Sequence, residues 1–174
     1  ATMKLAQKDI NAAGGVLGKD IEITSADTSD ADHADQNTSS AQSVLAKNPS
    51  VVVGPPSSSV VKNTYKQVTS AKVPMISSGA TSTAFSGLSD YFFRTIPPDT
   101  VQGAVLGQII AQDGVKNLAI AVFNDEYGTS LRDVVVKTVE DAGVNVVYGE
   151  KDTFDPTETN FSSMVTAIKA TNPD

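Results

Sequence analysis

The sequence predicts an α/β fold of parallel sheets wound with right-handed crossovers. Two observations carry this. Short apolar runs alternate with helical stretches of about 10–15 residues along the whole chain, the pattern that builds parallel sheets. Two of those runs, Val51-Val52-Val53 and Val73-Pro74-Met75-Ile76, open into hydroxyl-rich turns, Gly54-Pro55-Pro56-Ser57-Ser58-Ser59 and Ser77-Ser78-Gly79-Ala80-Thr81-Ser82. Neighbouring parallel strands would place both turns at the carboxyl edge of one sheet, where open α/β folds bind ligands. Hydroxyls and free N–H groups at a helix start suit a carboxylate.

Each element has a local reason. A helix over about 1–13 turns Leu5, Ile10 and Ala13 inward and stops at Gly14-Gly15. Asp20-Ile21-Glu22-Ile23-Thr24 alternates polar and apolar, as a half-buried strand does. An acidic stretch at 27–35 leads into a helix over about 34–47, with Ala41, Val44 and Leu45 facing in. A buried strand at 51–53, a helix at about 58–71 and a strand at 73–77 follow. After a loop at 81–90, Tyr91-Phe92-Phe93-Arg94-Thr95 forms a third apolar run. Pro97-Pro98-Asp99 interrupts strand and helix alike, so a domain crossover belongs there. This divides the chain into 1–96, a hinge at 97–99, and 100–174. The second part reads as a helix at about 100–112, an apolar strand at 117–123, a helix at about 127–142, a strand at 145–148 and a helix at about 160–171.

Composition narrows the function. A net charge of −7 with 13 scattered basic residues argues against nucleic acid, which needs clustered Lys and Arg. With no Cys, thiolate metal sites, thiol nucleophiles and disulfides are excluded. No apolar run approaches the roughly 18 residues needed to span a bilayer, and no signal peptide is visible. The chain opens at Ala1-Thr2-Met3-Lys4-Leu5 inside a helix and ends where a further strand is expected, so it reads as a fragment truncated at both ends.

Several chemistries fail on spacing. Gly14-Gly15-Val16-Leu17-Gly18-Lys19-Asp20 has the wrong spacing for a phosphate loop and precedes a strand instead of following one. No Gly-x-Gly-x-x-Gly or Gly-x-Ser-x-Gly occurs, and the one histidine, His33, lies in the polar acidic stretch, away from the serines. The serine clusters therefore read as hydrogen-bonding groups with no base to activate them. Asp27, Asp30, Asp32 and Asp35 lack the Gly and distant Glu of a calcium loop, and capping with surface solvation explains them. Neither metal nor cofactor is called for. A helix cap needs one hydroxyl, whereas three follow Gly54-Pro55-Pro56, so binding is favoured over capping alone. Thr81 with Ser82 could serve as a cap, and Tyr127 could be a turn aromatic.

Ile10-Asn11-Ala12-Ala13-Gly14-Gly15-Val16-Leu17-Gly18 resembles the start of the type I periplasmic binding proteins that serve branched-chain amino acid ABC transporters. So do Gly54-Pro55 with Ser57-Ser58-Ser59, Val73-Pro74-Met75-Ile76-Ser77, Ala80-Thr81-Ser82, Tyr91-Phe92-Phe93-Arg94-Thr95 with Pro98-Asp99, and Asp125-Glu126-Tyr127-Gly128. The motifs occur in the family order over the whole chain. The resemblance implies two Rossmann-like lobes joined by a hinge, with the ligand between them. It implies that Ser58 offers its hydroxyl and amide to a ligand carboxylate, that the Gly79 carbonyl faces an α-ammonium, that Thr81 contacts both groups, and that Tyr127 reaches across from the second lobe. It further implies an extracytoplasmic, non-enzymatic solute-binding protein for an amino acid or small carboxylate, with a membrane permease as partner. Periplasmic and extracellular locations, and lipoprotein anchoring of a longer form, all stay open. The alternatives are a ligand-sensing domain of a receptor or regulator with the same fold and, less favoured, a small α/β hydrolase or amidase.

Overall fold

The computed structural model describes residues 2–88 and 91–174. The loop expected at 81–90 therefore lies partly outside the described residues, at Ser89 and Asp90, as does Ala1 at the first helix. The elements in chain order are α1 (Thr2–Ala12), α2 (Ala34–Leu45), β1 (Val52–Val53), α3 (Ser58–Ser70), β2 (Met75–Ser77), a 3-10 turn (Thr83–Phe85), β3 (Phe92–Arg94), α4 (Asp99–Gln112), β4 (Asn117–Ala119), α5 (Glu126–Asp141), β5 (Asn145–Tyr148) and α6 (Ser162–Ala170). Strands β1, β2 and β3 form one parallel sheet in that order, and β4 pairs with β5, also parallel, in a second. Val52 stands opposite Met75, and Met75 opposite Phe92. The two runs that end in hydroxyl turns are thus parallel neighbours.

Helix α3 explains the first sheet's core. Val61, Thr64 and Val68 recur at three- and four-residue spacing and make one buried stripe. Val61 and Val68 pack with Met75, Phe85 and Phe92, and the Phe85 and Phe92 rings lie 5.6 Å apart. Each such side chain contributes about 1.5–3 kcal/mol on burial. The second core joins Val135 and Val139 of α5 to Val144, against Leu118 and Val146 of the sheet. Helix α4 approaches α5 through Gly103 and Gly107. A Cβ at either would lie 2.7 Å from the Cβ of Val134 or Thr138 respectively, so only glycine permits this spacing.

Four expectations change. Leu5, Ile10 and Ala13 do not turn inward: all three are exposed, and α1 buries none of its residues. Residues 20–24 form no strand, because a strand exists only when its backbone is paired along a neighbour. Here the Ile21 N–H donates to Asn11 Oδ1 at 2.8 Å, and its carbonyl accepts from Gln7 Nε2 at 2.9 Å. The side-chain alternation persists, with Ile21 and Ile23 half-buried and Glu22 and Thr24 exposed. Strand β1 is an edge and not a buried strand: it pairs with β2 alone among the described strands, and Val53 is 51% exposed. The apolar run at 117–123 is regular only over Asn117–Ala119 and is half-buried there. An irregularity between Leu118 and Ala119 shifts the register, and the Ile120 N–H still reaches the Tyr148 carbonyl at 2.9 Å.

Candidate functional site

Both hydroxyl turns leave the carboxyl ends of β1 and β2 and are tied together from beneath. Ser77, fully buried, donates its hydroxyl to the Pro55 carbonyl at 2.6 Å and accepts the Ala80 N–H at 3.1 Å. The Arg94 guanidinium, on β3, holds the second turn by donating to the carbonyls of Ala80 and Ser82 at 3.2 and 2.9 Å. Burial lowers the Arg94 pKa and the nearby Asp99 carboxylate opposes that shift, so the group stays a cation. Gly79 fits because the Pro56 carbonyl oxygen would be 2.8 Å from any Cβ there.

The three consecutive serines divide their labour. Ser57 is the N-cap of α3, accepting the Val60 N–H at 3.5 Å. Ser58, buried, accepts the Ser82 N–H at 3.3 Å, which ties the first turn to the second and leaves its own O–H to donate. Ser59 accepts the backbone N–H of Glu126 at 3.0 Å, linking α3 to the start of α5. Capping accounts for one hydroxyl of the three. Ser82 likewise caps the 3-10 turn through the Ala84 N–H, while Thr81 does not cap: its Oγ1 is buried and has no hydrogen-bond partner among the described residues.

A cleft of about 330 Å³ brings these groups together. Ser58, Gly79 and Thr81 line it from the first sheet, and Tyr127 with Gln102 from α5 and α4. All four residues singled out from the sequence therefore share one cleft. Tyr127 is 39% exposed, and its hydroxyl accepts from Gln102 Nε2 at 3.1 Å. Asp125 is the charged residue of the lining; as N-cap of α5 its Oδ1 accepts the Gly128 N–H at 2.6 Å. The N-terminal ends of α3 and α5 thus both meet the cleft, and helix starts favour anions. Buried hydroxyls, helix-start dipoles and one carboxylate suit a small ligand with a charge at each end. The arrangement contains no nucleophile–base pair: His33 is exposed, with its Nδ1 2.6 Å from Asp30. A larger, open hollow on α6, about 450 Å³, is walled by Ser162, Thr166 and Ala170 and gathers no charged group. Among the described residues no three His, Asp or Glu side chains converge as metal ligands, and no helix is long and apolar enough to cross a membrane.

Sequence reasoning missed Gln102, Asp125 and Asp99. Gln102 was detectable as an amide one turn into a helix that follows Pro97-Pro98. Asp125 reads from sequence as an ordinary cap. Asp99 is fully buried with both carboxylate oxygens unpartnered among the described residues, and its N–H donates to the Thr81 carbonyl at 2.8 Å. That bond fastens the start of α4 to the second hydroxyl turn.

Residues 1–174, the whole chain, match the family model for periplasmic binding proteins. The leucine-, isoleucine-, valine-, threonine- and alanine-binding protein of Pseudomonas aeruginosa is 33% identical over 168 residues, which is 95% of this chain and 44% of that protein. The fold superimposes on a leucine-binding protein from Thermotoga maritima with a TM-score of 0.88 at 18% identity, covering 98% of this chain and 47% of that one. It superimposes on the branched-chain amino acid transporter substrate-binding protein of Streptococcus pneumoniae, in complex with isoleucine, with a TM-score of 0.83 at 27% identity, covering 98% and 48%. The chain spans about half the length of the relatives it matches. The match over the whole chain establishes that the protein belongs to the periplasmic binding protein family, and the superpositions agree with its fold.

Proposed function

We propose that the protein is the extracytoplasmic solute-binding component of an ABC transporter. It captures an amino acid or related small carboxylate and hands it to a membrane permease. In this reading residues 1–96 form one lobe and 100–174 part of the other, with 97–99 at the hinge, and the ligand lies in the cleft. The observation that carries it is the Thr81 hydroxyl, buried and without a partner among the described residues, in a cleft that Ser58 at the start of α3 also lines. A buried unpaired hydroxyl costs about 1–3 kcal/mol, a cost that a ligand carboxylate would relieve. Ser58 and Thr81 would bind the carboxylate, the Gly79 carbonyl and Asp125 would face the ammonium, and Tyr127 would close over the ligand from the second lobe. The names of the Pseudomonas and Streptococcus relatives support aliphatic amino acids as the first ligands to test.

Binding to the folded state raises the melting temperature by mass action. Thermal unfolding of the intact protein is to be followed with L-leucine, L-isoleucine, L-valine, L-alanine, benzoate, glucose and adenosine. A rise with one or more of the carboxylates, and none with glucose or adenosine, is expected. A rise with glucose or adenosine alone would refute the reading.

A further inference from the structure

Three cleft residues each have a sequence neighbour turned the other way. Ser58 lines the cleft while Ser59 bonds α5; Thr81 lines it while Ser82 bonds α5; Tyr127 lines it while Glu126 donates its N–H to Ser59 and accepts the Ser82 hydroxyl. The result is a seam behind the ligand site that joins the two halves of the molecule. Glu126 is its centre. The side chain is 14% exposed, with Oε1 accepting the Ser82 hydroxyl at 2.7 Å and Oε2 accepting Lys62 Nζ at 2.6 Å. Its backbone N–H donates to Ser59 Oγ at 3.0 Å. One turn on, Ser130 Oγ accepts the Thr83 N–H at 3.0 Å. None of Lys62, Ser82, Glu126 and Ser130 lines the cleft. The seam therefore holds the halves together by bonds that the ligand does not make.

We propose that Glu126 is a positioning residue: a clamp that stabilises the closed arrangement of the cleft and, through Ser82, aims the Ser58 hydroxyl. The relay is short. Glu126 fixes the Ser82 side chain, whose backbone N–H is donated to Ser58 Oγ at 3.3 Å. With that lone pair occupied, the Ser58 O–H is directed to donate into the cleft. Glu126 thus favours closure before any contact with ligand, and apparent affinity follows the fraction of molecules already closed. The Lys62 ammonium, 64% exposed, adds a charge-assisted bond at the rim, whereas the nearly buried Ser82 bond carries the larger part.

The proposal rests on the two-lobe reading, and its test separates the two. The intact protein carries a donor and an acceptor dye, one on each lobe, and energy transfer is measured without ligand and with L-leucine. Glu126→Gln removes the charge while keeping the shape. The closed fraction without ligand should fall, and the leucine Kd should rise about 5- to 50-fold, the range expected for losing a charge-assisted bond that is made only on closure. Lys62→Met, at an exposed position that cannot unfold the chain, should move both readouts the same way by about 2- to 5-fold. Unchanged energy transfer in folded Glu126→Gln and in Lys62→Met would overturn the clamp. If leucine fails to bind, the ligand reading fails, but the shift in the unliganded closed fraction still decides the clamp.

Discussion

Thr81→Val separates a ligand-binding hydroxyl from a structural one, because the two roles change stability in opposite directions. Valine keeps the branched shape of threonine and puts a methyl in place of the hydroxyl oxygen Oγ1. That atom is buried and bonds nothing among the described residues, so its removal breaks no internal hydrogen bond. It also removes a desolvated polar group, which costs about 1–3 kcal/mol when unsatisfied. The unliganded variant should be as stable as the parent or up to about that much more stable. Binding should change the other way: a bond from hydroxyl to ligand carboxylate contributes about 1.5–3 kcal/mol, or roughly a 10- to 100-fold change in Kd. Urea unfolding of the unliganded intact protein and calorimetric titration with L-leucine measure the two quantities on one preparation. A Thr81→Val protein that is less stable by more than about 1 kcal/mol and binds leucine unchanged would show the hydroxyl to be structural, and would refute the assignment.

Ser77→Ala should lower the urea midpoint by an amount equivalent to about 1–3 kcal/mol, because the buried Ala80 N–H and Pro55 carbonyl lose a shared partner. An unchanged midpoint would mean that the two turns are held by other contacts. Gly107→Val should destabilise the protein by about 1–3 kcal/mol, since even a Cβ lies 2.7 Å from Thr138 Cβ and 2.8 Å from its Cγ2, and an unchanged urea midpoint would mean that α4 and α5 move apart without cost. The Asp30 carboxylate beside His33 holds the imidazole pKa above its usual value by a hydrogen bond and by charge, while the histidine lowers that of Asp30. The stabilising contribution of that pair is complete between the unfolded carboxylate pKa of about 3.8 and the unfolded histidine pKa of about 6.5, disappears as pH rises through the raised histidine value, and disappears as pH falls through the lowered Asp30 value. A proton NMR titration should show His33 returning to its ordinary range in Asp30→Asn, with leucine affinity unaffected by either change.

The two hydroxyl turns were legible because an apolar run before each one fixes where a parallel strand ends. The positions of Ser58, Gly79, Thr81 and Tyr127 follow from that and from the ordered motifs. What each hydroxyl does was not legible. Ser57, Ser58 and Ser59 are the same residue type in a row, and only helix geometry sends them to a cap, to the neighbouring turn and to α5. Ile21 and Ile23 show the limit of periodicity. Alternation records which side chains are covered, but a strand also needs a partner backbone, which no pattern within 20–24 reports. Glu126 was unreadable for a different reason: an acid at a helix start is expected from the helix dipole alone, so its bond to Ser82, 44 residues away in sequence, leaves no local mark.

The most direct measurement is a crystal structure of the intact protein with its carboxylate ligand bound. Binding by these turns requires one carboxylate oxygen within about 2.7–3.2 Å of Thr81 Oγ1 or Ser58 Oγ, with the ligand's other end between Gly79 and Tyr127. A carboxylate that lies outside this cleft, with the Thr81 hydroxyl still unpartnered, would contradict the proposed site.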